Sequence, residues 1–116
     1  MREDVTYNCK KIQRQGSTRN KSKMYAVIFK AESNVLDDAY IKMATRMRDL
    51  AINKYGCIEF TAVSEENQEV AISYWHNQGQ IKAWKNDPEH QQAQELGKTK
   101  WYKSYQVQIA EIIRSY

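Results

Sequence analysis

The sequence predicts an α+β domain in which a four-stranded antiparallel sheet carries both of its helices on one face. Three observations predict it. The periodicities along the chain run strand, helix, strand, strand, helix, strand. Two β-type runs are joined by the short polar link SEENQ, which makes them a hairpin. The first strand is apolar on both of its faces, so its sheet is covered on both sides. This order is the split βαβ, or ferredoxin-like, arrangement βαββαβ. Two helices on one face leave the other bare, and in so short a chain the expected cover is the same sheet of a second copy, packed face to face.

Each element has its own signature. MYAVIFKA, Met24 to Ala31, is the first strand, with Tyr25, Val27 and Phe29 on one face and Ala26 and Ile28 on the other. In the following segment Leu36, Tyr40, Met43, Ala44, Met47, Leu50 and Ala51 recur at helical spacing and mark one apolar stripe. Asn34 or Ser33 is suited to cap that helix, and Gly56 suits the left-handed position beyond its end. CIEFTAV (57–63) and EVAISYWH (69–76) form the hairpin. From Asn77 the pattern turns helical through QGQIKAWK, breaks at NDP, and resumes through EHQQAQELGKTKWYKSY. In the closing strand Tyr105, Val107 and Ile109 alternate with glutamines.

The break WKNDPEH, Trp84 to His90, is locally well made. Asp87 is a strong helix cap, Pro88 fits the first helical position where its missing N–H costs nothing, and Glu89 favours the positive helix end. The break also turns the second half of the helix relative to the first. The inward positions then pass from Ile81 and Trp84 through His90, Ala93 and Gly97 to Trp101. Small residues in that series either allow close approach to the sheet or leave space beneath it; both readings stay open.

At 116 residues and 13.7 kDa the chain has room for one domain. No apolar run approaches the ~20 residues of a membrane span, and no signal-peptide block opens the chain, so a cytoplasmic protein is expected. Cys9 and Cys57 lack metal-ligand or redox spacing and read as reduced thiols. The net charge of +4 is unevenly placed: residues 1–23 carry seven Lys or Arg against two Asp or Glu, leaving the remainder at −1. Residues 1–23 are expected to be a basic extension outside the core, and residues 24–116 the domain. A basic arm can hold nucleic acid, but no nucleic-acid motif accompanies it, and such a partner is not expected.

The stretch from Val70 to Ile112 resembles the antibiotic biosynthesis monooxygenase domain. The matching features are the strand end Tyr74-Trp75, the Ile81–Trp84 turn, the Asp87-Pro88-Glu89-His90 break, Ala93, Gly97, Trp101-Tyr102 and the strand from Tyr105 to Ile112. With the upstream elements the resemblance spans Met24 to Tyr116. It implies a dimeric α+β barrel with a pocket between sheet and helices in each subunit. It also implies a small apolar or aromatic ligand and, among its activities, oxygenation of quinol- or anthrone-like compounds without metal or flavin.

In that reading His90 is the candidate catalytic base, since an imidazole titrating near neutrality can take a phenolic or enolic proton. Trp84, Trp75, Tyr102 and Tyr74 are the candidate ligand-binding residues, offering flat rings to stack on a planar guest and phenols to orient it. The structural alternative for each is core packing. Tyr40 and Tyr105 also carry phenols, and His76 is expected at the surface. No cofactor and no metal site is expected. Two other readings of the same fold remain: a binding module without turnover, and a haem-degrading protein. For haem degradation the resemblance implies an axial histidine ten residues after a tryptophan. Counting from Trp84 that position is Gln94, a poor iron ligand, and MYAVIFKA has no counterpart of the family's first-strand asparagine.

Overall fold

In the computed structural model, which describes residues 23–116, the chain runs β1 (Tyr25–Ser33), α1 (Asp38–Asn53), β2 (Glu59–Glu65), β3 (Gln68–Trp75), α2 (Gln78–Lys85), α3 (Pro88–Leu96), a π-helical turn (Gly97–Trp101) and β4 (Tyr102–Glu111). The strands form one four-stranded antiparallel sheet in the order β2-β3-β1-β4, the expected split βαβ topology. The expected basic extension lies outside the described residues except for Lys23, as does Cys9. None of the described helices is long and apolar enough to cross a membrane.

Strand register decides which side chains share a face. Val27 pairs with Ser73 and Ile109, Phe29 with Ala71 and Val107, and Ala31 with Glu69 and Tyr105. Because side chains alternate, these residues all stand on the helix side of the sheet, together with Phe60, Ala62 and Ser64 of β2. The dry core lies between that face and the helices: Val27, Met47, Leu50, Ala51, Phe60, Trp75, Ile81 and Trp84 are buried together. The helices leave the β4 edge less covered, so Tyr105, Val107 and Ile109 remain 43%, 43% and 46% exposed on the helix side.

The opposite face carries Ala26 and Ile28 of β1, Ile72 and Tyr74 of β3 and Thr61 and Val63 of β2, with Gln106 and Gln108 on β4. Its apolar centre therefore lies on the three strands away from the β4 edge.

Several boundaries differ from the sequence reading. Asp37, not Asn34 or Ser33, caps α1: its extended backbone presents a carboxylate that accepts from Tyr40 N at 3.0 Å. Ser33 is still in β1, and Asn34 is engaged elsewhere, its backbone N–H donating to Trp101 O at 2.8 Å and its side-chain amide to Lys100 O at 3.1 Å. The hairpin strands begin and end slightly differently because Glu66, with φ of +57°, and Asn67 make a tight turn between Glu65 and Gln68. The second helix ends at Leu96 and continues only as the π-turn, so Tyr102 opens β4 rather than closing a helix. Gly56 adopts the expected left-handed conformation, φ +84°.

Candidate functional site

The helix break behaves as its local chemistry predicts. Asp87 accepts from Glu89 N at 2.8 Å and caps α3, with Pro88 in the first turn. Its other oxygen accepts from the Tyr55 hydroxyl at 2.7 Å, and that hydrogen bond, with help from Lys54, holds the Asp87 carboxyl below the usual carboxylate range. Arg46 of α1 meets Glu89 with two short contacts of 2.8 and 2.9 Å, fastening α3 to α1. The break thus fixes where the first turn of α3 stands, and His90 is on that turn.

Beneath α1 and α3 lies a cavity of about 490 Å³, within the size range of small-molecule sites. His90 and Trp84 line it together. Their rings meet edge to face at 4.4 Å between centroids. Trp84 is held from behind: its indole N–H donates to Met47 O at 3.1 Å, and its ring packs on Phe60 at 6.1 Å and Trp75 at 5.2 Å. Met43, Ala44, Phe29 and Ala93 supply further apolar wall, with Val107 and Ile109 along the sheet edge.

Burial pushes the His90 imidazole below its ordinary value of 6.5; nearby Lys85 acts in the same direction and Asp87 opposes it. Its Nδ1 is buried and has no hydrogen-bond partner among the described residues. Burial therefore favours the neutral ring at pH 7, and no carboxylate among the described residues fixes its orientation, although its own backbone carbonyl favours the charged form.

The other sequence candidates separate. Tyr102 lines the cavity. Trp75 is fully buried one layer behind Trp84, its N–H donating to Ser73 Oγ at 2.8 Å, and it does not reach the cavity. Tyr74 pairs with Ala26 and Glu59, which places it on the opposite face of the sheet. His76 is exposed, as expected. Gln94 lines the cavity one turn after His90. Among the described residues no group of three or more His, Cys, Asp or Glu side chains gathers as a metal site would require.

A second polar group was not anticipated. Glu69 of β3 is only 8% exposed, and its Oε1 accepts from Ser64 Oγ at 2.7 Å and from the Tyr40 hydroxyl at 3.2 Å. The Tyr102 hydroxyl in turn donates to the Tyr40 oxygen at 3.1 Å. All four side chains line the cavity. Burial raises both phenols above their ordinary range, so both stay protonated. One signal for Glu69 was present in the sequence. It lies an even number of residues before Trp75 in the same strand, so a carboxylate and a core tryptophan share a face.

Fold and site define a class: a split-βαβ sheet with a largely apolar cavity between sheet and helices. The family model described as "Antibiotic biosynthesis monooxygenase" matches residues 36–96, and the chain belongs to that family. A relative in Bacillus subtilis (strain 168), the uncharacterized protein YqjZ, is 36% identical over 91 residues, covering 78% of this chain and 80% of that protein. Among solved structures, SnoaB, a cofactor-independent oxygenase from Streptomyces nogalater, superposes with a TM-score of 0.67 at 10% identity, over 79% of this chain and 95% of that one. Rv0793 from Mycobacterium tuberculosis superposes with a TM-score of 0.69 at 10% identity, over 79% and 97% of the two chains. At such identities the structural matches establish the fold.

Proposed function

We propose that this protein is a small oxygenase that oxidises a reduced aromatic compound, quinol- or anthrone-like, drawing its electrons from the substrate itself. The observation that carries the reading is the shared wall formed by Trp84 and His90 in a largely apolar cavity. Family membership and the fold shared with SnoaB support it.

The chemistry asked of the protein is modest. A planar guest lies against Trp84 and the apolar wall, where stacking and burial hold it. His90, in its neutral form, takes a proton from the carbon or hydroxyl whose anion is stabilised by the ring system. With Nδ1 enclosed, Nε2 is the nitrogen left for this transfer. The imidazolium and the organic anion form as a pair, which offsets the burial penalty on each. The electron-rich anion then reduces molecular oxygen. For an anthrone-like methylene, one oxygen atom becomes the new carbonyl, and the other leaves as water with the two methylene hydrogens. Tyr102 is placed to orient the oxygen substituent of the ring.

Oxygen uptake with a panel of fused-ring hydroquinones and anthrones tests this reading. Uptake matched by formation of the carbonyl product supports it. A ligand-induced rise in melting temperature with no uptake over hours instead assigns the cavity to binding without turnover. Titration with haemin checks the haem alternative, for which a Soret shift is the positive sign.

We further propose a homodimer formed through the face opposite the helices. The support is the apolar centre built from Ile28, Ile72 and Val63 around the buried Ala26, with Val63 52% exposed in the single chain. Ile72→Lys places a charge in that centre and is expected to convert a dimer to a monomer in sedimentation. A monomeric wild type at micromolar concentration would remove the proposal.

A further inference from the structure

The polar cluster of Glu69, Ser64, Tyr40 and Tyr102 has a direction. A carboxylate accepts hydrogen bonds and donates none, so both hydroxyls that meet Glu69 Oε1 spend their protons on it. Tyr40 is then left with only lone pairs, and the Tyr102 hydroxyl spends its own proton on the Tyr40 oxygen. Every hydroxyl proton in the cluster is committed inward. What remains unused toward the cavity is acceptor capacity, the lone pairs of the Tyr102 oxygen; Glu69 Oε2 is enclosed behind the cluster and fixes its charge rather than meeting a ligand.

The cluster also has a place relative to His90. Tyr40 opens α1, whereas Trp84 is anchored to the carbonyl of Met47, seven residues further along the same helix. At 1.5 Å per residue the two ends of the cavity are about 10 Å apart along α1. A fused aromatic of two or three rings bridges such a span, with one end at His90 and the other at the cluster.

We infer that this end of the cavity is an acceptor-only pole, which selects ligands bearing a hydroxyl over the same ring system bearing a carbonyl. A hydroxyl donates into the waiting lone pairs; a carbonyl meets them with lone pairs of its own and finds no donor. The inference rests on reading the cavity as a ligand site and deepens it, because it makes the site prefer a reduced substrate and release its oxidised counterpart. Tyr40 and Glu69 act here as positioning residues: they set the direction in which Tyr102 presents itself.

The test is isothermal titration calorimetry under nitrogen with naphthohydroquinone and naphthoquinone as the matched probes. Wild type is expected to bind the hydroquinone at least about tenfold tighter, since a site built around one hydrogen-bond direction discriminates strongly against the reverse. Tyr40→Phe frees the Tyr102 proton for a ligand carbonyl, and Glu69→Gln can donate an amide N–H to the Tyr40 oxygen, which releases the Tyr102 proton in the same way. Each is expected to bring the affinity ratio toward one by tightening quinone binding in absolute terms, whereas general loosening of the cavity weakens both probes. Equal affinities in the wild type, tighter binding of the quinone, absence of binding by either probe, or an unchanged ratio in a folded variant overturns the inference. Circular dichroism identifies the folded variants, and if neither folds the wild-type ratio decides alone. Because no turnover occurs without oxygen, a failed oxygen-uptake assay counts against the oxygenase and leaves this ratio standing, and the reverse also holds.

Discussion

The two ends of the cavity are built on different principles. At the Trp84 end the imidazole stands outside any carboxylate network, edge-on to the Trp84 ring, with Lys85, Gln94 and Arg48 also on the cavity wall. At the Glu69 end four side chains are wired into one another, with each hydroxyl proton assigned. The first arrangement leaves a group free to change its protonation state; the second resists change, since both phenols are pushed away from ionising. A titratable group outside such a network suits proton transfer, and a closed network suits recognition.

The largest effects should come from removing each end's key group, and they should differ in kind. His90→Ala is expected to lower oxygen uptake by about 10²- to 10⁴-fold, the usual contribution of a positioned base, with little change in ligand affinity. Loss of affinity without loss of turnover would reverse the assignment of the two ends. Glu69→Ala, by contrast, leaves the Tyr40 and Ser64 hydroxyls without their acceptor, which costs about 1–3 kcal/mol. Its signature is a lower melting temperature and weaker binding of hydroquinones. A variant as stable as the wild type would mean that the network does not organise this end.

The two ends were also unequally legible in the sequence. His90 and Trp84 are six residues apart, joined by a cap, a proline and one helical turn whose grammar is local. The Glu69 cluster draws on residues 29 and 62 positions apart, which meet only once the register of the sheet is set. The fold was readable because periodicity and turn chemistry are local properties, and strand order followed from the short hairpin link. Adjacent strand residues point to opposite faces, and that parity separates Tyr74 from Trp75: one stands on the open face and the other in the core behind Trp84. Asn34 was a reasonable cap by type, yet its tether to the π-turn, which no periodicity announces, removed it from that role.

A smaller but sharper contrast lies in pH dependence. Burial lowers the His90 pKa, which favours the free base at pH 7, and the base is lost as pH falls through a value below 6.5. The acid limb of the uptake profile is expected below 6.5, and His90→Gln should abolish it. The same burial makes folding pH-dependent with a definite sign. The unfolded imidazole takes up a proton below about 6.5 while the folded one resists, so this contribution to stability is complete above that value and declines as pH falls toward the folded pKa. An acid limb above 6.5 would assign the titration to another group. At the Glu69 end, raised phenol pKa values predict no effect of Tyr40 or Tyr102 on the profile near neutrality.

The smallest expected effect concerns how the second end is held in place. Gly97 sits in the π-turn, where an added Cβ would fall 2.8 Å from Tyr102 Cε2 and 2.9 Å from Cδ2. The small residue at this position therefore permits close packing of Tyr102, whereas Ala93, one turn earlier, lines the cavity. Gly97→Ala must push the Tyr102 ring aside, a shape change costing on the order of 1 kcal/mol. Because Tyr102 is the outermost member of the network, its displacement lengthens the 3.1 Å bond to Tyr40 before it disturbs Glu69. The expected result is a modest fall in melting temperature and a partial loss of preference for the hydroquinone, with the acid limb of the uptake profile unmoved. If that limb moved with Gly97→Ala, the two ends would be coupled through α3, and the division between proton transfer and recognition would fail.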